Sequence, residues 1–198
     1  MQIKAVDHNK DLFAISDVFD VALLKKLHSE DLLSYEWQHE QMQSDLLRRK
    51  LKYGKDSVLK ELDSQINNKE NLQQLSDTLG KKAYGIDSNF WLDLPGYTIG
   101  NHPDNPAVRS VIQIFLWPNH VSLGTEFFHN TADKQELDKQ GSWTNPTEEN
   151  TNNLRVRKKF DYVVNTGYIM ENRFQVHGMT TQVPKDSIRF SLYGHIGF

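Results

Sequence analysis

Pro95-Gly96-Tyr97-Thr98-Ile99-Gly100-Asn101-His102-Pro103-Asp104 is the stretch from which the rest of the chain is read. Its apolar residues at 97 and 99, followed by a polar Gly, Asn and Pro cluster, predict a short strand that ends in a turn. His102 and Asp104 are two residues apart near the end of that strand, so both side chains point to the same side. Among the eight histidines only one other, His28, has a carboxylate two residues on. His28-Ser29-Glu30 falls in a predicted helix, where residues two apart face different directions. A further histidine, His177, lies on a later predicted strand and completes a set of two imidazoles and one carboxylate. Such a set occupies one face of a divalent metal and leaves three coordination positions open. Taken singly, each residue also has a plainer reading. Asn101-His102-Pro103-Asp104-Asn105 is good turn chemistry, His177 could be a core histidine, and Arg189 could be half of a surface ion pair.

The order His-x-Asp, His, Arg is what binds these residues into one expectation. Arg189 sits inside Ile188-Arg189-Phe190-Ser191-Leu192-Tyr193, an apolar strand. A guanidinium buried there needs an anion, and a ligand carboxylate gripped by its planar fork would supply one. Ser191 faces the same way and adds a hydroxyl.

Composition narrows the class. The 198 residues suit a single domain with a sizeable core. With 23 basic and 26 acidic residues the net charge is -3, so no global field draws the chain to nucleic acid or to an anionic membrane. Cysteine is absent, which excludes disulfides, thiolate metal sites and a cysteine nucleophile; a metal would have to use His and carboxylate. The start, Met1-Gln2-Ile3-Lys4, carries no leader pattern, and no stretch approaches the roughly 20 apolar residues of a membrane span. The expectation is a soluble, cytoplasmic protein.

Along the chain, Leu12 to Phe19 reads as a strand entering a turn, and Val21 to Leu27 as the start of a helix. Ser44 to Leu79 reads as helical: Leu46, Leu47 and Leu51 form one stripe and Val58, Leu59, Leu62 and Ile66 another. Leu72, Leu75 and Leu79 continue the pattern after a polar Asn67-Asn68 interruption, and Gly80 is a stop. The basic cluster Arg48, Arg49, Lys50 and Lys52 is then a solvated helix face, with substrate contact as its functional alternative. From Phe90 onward the texture is strand and turn. Strands are predicted over Phe90 to Leu94, Tyr97 to Ile99, Val111 to Trp117, Thr125 to Phe128, Phe160 to Val164, Tyr168 to Met170, Phe174 to His177 and Ile188 to Ile196. Short antiparallel strands in this number argue for a sandwich or barrel. The polar stretch from Asn130 to Lys159, with Trp143 as its one aromatic residue, is long for a connection and is expected to be a lid over the site or an irregular excursion.

The combination resembles the Fe(II)/2-oxoglutarate-dependent oxygenase superfamily, over roughly Phe90 to Phe198. The 95–104 stretch, the Leu123-Gly124-Thr125 turn, and Asn165-Thr166-Gly167-Tyr168 leading to Val176-His177-Gly178 resemble a bacterial and phage-type branch related to prolyl hydroxylases. The resemblance implies an α+β fold, with a double-stranded β-helix (jelly-roll) core over 85–198 and mainly helical support over 1–84, packed on its outside as one domain. It implies that His102, Asp104 and His177 ligate Fe(II), that Arg189 and Ser191 bind the co-substrate 2-oxoglutarate, and that Tyr97 borders its pocket. It also implies use of O2 and hydroxylation of a prolyl or other protein residue. A small molecule is the alternative substrate, and nucleic acid is not expected because a second Arg after Arg189 is missing. Two non-enzymatic readings stay open. One is a β-barrel module that holds a metal or carboxylate without turnover; the other is an assembly protein that uses its helical half as an interface.

Overall fold

The computed structural model describes residues 1–39, 47–51, 57–104, 107–129, 154–172, 175–179 and 181–198. Twelve strands and three α-helices are laid out in it. In chain order the elements are β1 (Gln2–Ala5), β2 (Leu12–Ser16), α1 (Val21–His28), β3 (Gln38–His39), β4 (Arg48–Leu51), α2 (Val58–Ile66), α3 (Lys69–Leu79), β5 (Gly85–Asp93), β6 (Ile99–His102), β7 (Ser110–Trp117), β8 (Glu126–His129), β9 (Arg155–Lys159), β10 (Thr166–Glu171), β11 (His177–Met179) and β12 (Arg189–Gly197). They form an eight-stranded sheet, ordered β1-β2-β10-β7-β12-β5-β4-β3, and a four-stranded sheet, ordered β6-β11-β8-β9. Neighbouring strands pair antiparallel throughout.

Alternation on the central strands decides what each face does. On β12, Phe190, Leu192 and Ile196 enter an apolar cluster with Leu59, Leu62 and Ile66 of α2 and Leu75 of α3. Arg189, Ser191 and Tyr193 therefore point the other way, toward the four-stranded sheet. On β5 the same rule sends Phe90 and Leu92 to the helices, and Asn89, Trp91 and Asp93 to the opposite side. β7 is buried from Ser110 to Leu116, as a strand covered on both faces must be. Its Ile112, Ile114 and Leu116 join the helical side, while Val111 and Phe115 meet Phe127, Phe160, Tyr162 and Tyr168 between the sheets. Fully burying each of these side chains is worth about 1.5 to 3 kcal/mol.

The helix boundaries follow the polar punctuation. Asn67 closes α2 and Asn68 opens α3, where its side chain accepts from Asn71 N at 2.8 Å. Asn67 also exchanges hydrogen bonds with the Ile86 backbone, which docks the helix junction onto β5. Gly80 ends α3 with φ 66°, a left-handed conformation that suits glycine. Gly167 is required for another reason: a Cβ there would lie 1.9 Å from Gln113 O, so only glycine lets β10 lie against β7. None of the described helices is long and apolar enough to cross a membrane.

Three expectations need correction. Arg48–Leu51 is a strand on the edge side of β5, not part of a helix running from Ser44 to Leu79. The leucine spacing at 47 and 51 fits a helical stripe, but pairing with β5 satisfies the same backbone and wins. The N-terminal part therefore carries strands beside its helices, since β1 to β4 all belong to the large sheet. Phe160 to Val164 is not a strand: Tyr162 makes one isolated bridge to His120, and the segment turns at Val164. Finally, Arg155–Lys159 is β9, paired with β8, and so is not part of a lid. Residues 130–153 of that stretch, Trp143 among them, lie outside the described residues, as do Leu46, Lys52 and Phe174.

β9 brings Arg157 into a polar knot. Its guanidinium donates to Asp7 Oδ2 at 2.8 Å, Asp11 Oδ1 at 2.6 Å and Gln175 Oε1 at 2.9 Å. Arg157→Ala leaves these largely covered acceptors unpaired, and it is expected to destabilise the fold by about 3 kcal/mol in urea titration. The Arg157 hydrogen bonds hold the Asp7 carboxyl below its ordinary value of 3.8. That contribution is full above the ordinary value and is lost as pH falls through the lowered one. The difference between wild type and variant should therefore shrink at strongly acid pH; a constant difference would assign the loss to packing alone.

Candidate active site

The four-stranded sheet contributes one row of side chains. β11 pairs with β6 so that His177 lies directly opposite His102, and with β8 so that His177 lies opposite Phe127. The two imidazole centroids are 4.7 Å apart, and the His177 ring stacks on Phe127 at 5.3 Å. Asp104 follows β6 by two residues and completes the group. Its Oδ1 is 3.9 Å from His102 Nε2 and 3.8 Å from His177 Nε2, and one donor atom from each of the three residues falls within 4.8 Å of the others.

Each ring is fixed from behind. His102 Nδ1 is 2.8 Å from Gly100 O, and His177 Nδ1 is 3.1 Å from Gln175 O. A carbonyl can only accept, so both Nδ1 atoms carry hydrogen, and the Nε2 atoms that face Asp104 are the ones left to offer a metal. Burial, and next the neighbouring His177, lower the His102 pKa to about 4. The imidazole is therefore neutral at pH 7. Neutral imidazole and carboxylate with back-bonded Nδ1 atoms form a donor set for a divalent cation.

The large sheet contributes a second row. Arg48, Asp93 and Arg189 are direct cross-strand partners on β4, β5 and β12. Asp93 is fully buried; Arg48 reaches it with Nε at 2.6 Å and Nη2 at 3.0 Å, and Arg189 reaches it with Nη1 at 3.0 Å. Arg189 Nη1 also lies 3.1 Å from Met179 Sδ, and its guanidinium sits over Tyr162 at 5.1 Å. Its Nε is buried with no partner. Arg48 stacks on Trp91 at 4.5 Å and on Tyr97 at 4.3 Å. Burial opposes the Arg48 charge, but the Asp93 carboxylate more than offsets this and its pKa rises.

Ser191 is buried beside this row and accepts from Gln113 Nε2 at 3.3 Å. Gln113 is oriented in turn by Tyr168, whose hydroxyl donates to its Oε1 at 2.5 Å. Tyr193 points its hydroxyl at Asp104 Oδ2, 3.4 Å away. Burial raises the phenols of Tyr162, Tyr168 and Tyr193, with the Asp104 charge a further cause for Tyr193, so all three remain donors.

All six residues singled out in the sequence lie in the described structure. His102, Asp104 and His177 come together, and Arg189 belongs to the second row, with Ser191 two residues on along β12 and Tyr97 against Arg48. Asp93 and Arg48 escape a reading by pattern alone. The signal for Asp93 is nonetheless present: a carboxylate in the apolar run Phe90-Trp91-Leu92-Asp93-Leu94 poses the same question as Arg189 in its own strand.

No family model matches the chain, and no curated protein does. Solved structures do match. A prolyl-4-hydroxylase from Pseudomonas putida superposes with a TM-score of 0.62 at 12% identity, over 95% of this chain and 93% of that one. A 2-oxoglutarate-Fe(II) oxygenase family oxidoreductase from Burkholderia pseudomallei gives 0.60 at 14% identity, over 94% and 84%. HygX from Streptomyces hygroscopicus, solved with nickel, 2-oxoglutarate and hygromycin B, gives 0.60 at 11% identity, over 94% and 82%. The chain thus has the fold of 2-oxoglutarate/Fe(II) oxygenases, the class its motifs resemble.

Gly178 permits the pairing that sets His177 against His102. A Cβ there would stand 2.6 Å from Asn101 Oδ1 and 3.0 Å from Asn101 Cα. Gly178→Ala is expected to push β6 from β11 and weaken Mn(II) binding on the order of tenfold, as misplacing the support of a metal ligand does. Calorimetric titration measures it, and unchanged affinity would show that the pair tolerates the shift.

Proposed function

We propose that this chain is an Fe(II)- and 2-oxoglutarate-dependent dioxygenase that hydroxylates its substrate, working as a single domain whose two sheets form a double-stranded β-helix. One observation carries the reading: a His-Asp-His cluster with its donor atoms within 4.8 Å faces a buried arginine whose Nε has no partner. The donor set suits Fe(II), and the arginine row suits a carboxylate. Two guanidiniums against one carboxylate leave one positive charge buried, and a buried charge requires a counter-ion. Iron with 2-oxoglutarate and O2 supplies the oxidising chemistry of this class, releasing succinate and carbon dioxide as the substrate gains a hydroxyl.

In this reading His102 and His177 offer Nε2 to the metal and Asp104 offers a carboxylate that Tyr193 steadies. Arg189 and Ser191 take the distal carboxylate of 2-oxoglutarate, with Tyr97 bordering the pocket. Gln113 and Tyr168 hold the Ser191 hydroxyl in place. Asp104 supplies the third protein ligand that hydroxylation uses. A prolyl or other protein residue is the proposed substrate, in line with the prolyl-4-hydroxylase likeness. The likeness to HygX with hygromycin B bound supports a small molecule as the second reading.

His102→Ala and Asp104→Ala are expected to abolish stoichiometric Mn(II) binding in calorimetric titration. Wild-type affinity in both would remove the metal centre from these residues. Arg189→Met is expected to weaken 2-oxoglutarate binding by about 2 to 5 kcal/mol with metal affinity nearly unchanged. Arg189→Lys should restore only part, because a point charge does not reproduce the fork. Iron-dependent release of succinate from 2-oxoglutarate separates an enzyme from a module that only binds.

A further inference from the structure

We infer that Arg48 determines how strongly the pocket takes a dianionic co-substrate, because by occupying Asp93 it keeps the Arg189 guanidinium from being neutralised within the protein. The inference rests on the reading of Arg189 as the co-substrate anchor and adds a residue from a different strand.

The geometry is asymmetric. Arg48 donates a two-bond fork to Asp93, Nε to Oδ1 at 2.6 Å and Nη2 to Oδ2 at 3.0 Å. Arg189 donates a single bond, from Nη1 to the already shared Oδ2 at 3.0 Å. Arg48 is held in that fork by Trp91 on one side and Tyr97 on the other. Asp93 is thus committed to Arg48, and Arg189 keeps both its charge and an orphaned Nε. A further donor on the same face, Trp91 Nε1, is buried without a partner. A face that hides one surplus cation and unpaired N–H donors is built around an anion rather than against one.

Charge arithmetic gives an ordered forecast. The row carries +1 in the wild type, two guanidiniums less one carboxylate. Arg48→Met brings it to zero, because Asp93 and Arg189 then close on each other as a one-to-one pair that a ligand must break. Asp93→Asn raises it to +2. The double variant Arg48→Met/Asp93→Asn returns to +1, with no internal carboxylate to compete.

The experiment is calorimetric titration of 2-oxoglutarate into the full-length, Mn(II)-loaded protein. Arg48→Met is expected to bind at least about tenfold more weakly, as loss of a buried charge partner implies. Adding Asp93→Asn is expected to bring affinity back to within about threefold of wild type. Arg48→Lys keeps the charge and should stay well above Arg48→Met. Recovery on neutralising a second side chain is an outcome that a purely structural role for Arg48 does not produce. Wild-type binding by Arg48→Met, or a double variant as weak as the single one, overturns the inference. Should Arg48→Met not fold, Arg48→Gln makes the same charge change and the same outcomes decide. Arg189→Met in parallel separates the two claims. If it binds 2-oxoglutarate as wild type does, the anchor reading falls and this inference with it; if it binds weakly while every Arg48 variant binds normally, only the role of Arg48 falls.

Discussion

The register of β12 is the constraint on which the rest depends. This strand is paired on both sides, with β5 and with β7, and its residues alternate between the helix-facing core and the inter-sheet space. A slip of one residue would send Arg189, Ser191 and Tyr193 into the apolar side and expose Phe190 and Leu192 to the polar one. Nine cross-strand pairs with β5, from Arg189 opposite Asp93 to Gly197 opposite Gly85, make that slip expensive. The buried charge row is therefore a product of strand pairing.

The second row obeys the same logic in a smaller sheet. His102, His177 and Phe127 are aligned by backbone pairing, and the side chains then need only rotate. Among the contacts that tie one sheet to the other are Tyr193 to Asp104, and Arg189 to Met179, two residues beyond His177 on the same strand. A group that bridged a metal at the first row and a cation at the second would span the gap between sheets. This makes the spacing of the sheets part of the site.

How much of this was legible in the sequence can be traced residue by residue. His102 with Asp104, and Arg189 with Ser191, could be read because a polar group two residues from another on a strand shares its face, a rule that needs no tertiary information, and His177 could be read from its order between them. The strands β7, β10 and β12 were visible as runs rich in apolar and aromatic residues, and β5 only from Phe90 onward, because Gly85-Ile86-Asp87-Ser88-Asn89 is too polar to be read as a strand. Arg48 was misread because β4 is only four residues long and its flanking leucines have helical spacing; what decides its conformation is Asp93, distant in sequence. Tyr162 failed in the other direction, since an aromatic and valine-rich segment that looks like a strand is spent on a turn. Asp93 itself shows that a buried ion pair is recognised only when both halves are sought.

The Arg157 knot has a consequence for how the chain is made. It joins Asp7 to a residue 150 positions later, and Gln175 is tied through the Asp11 carbonyl to the same N-terminal loop. Gln175 in turn supplies the carbonyl behind His177. Contacts of such separation form late and slow a chain's folding. A growing polypeptide would thus carry the β1–β2 hairpin with its next strand, β10, still unmade through most of its synthesis. The carbonyl behind one metal-facing histidine thus belongs to a residue that the first dozen positions of the chain hold.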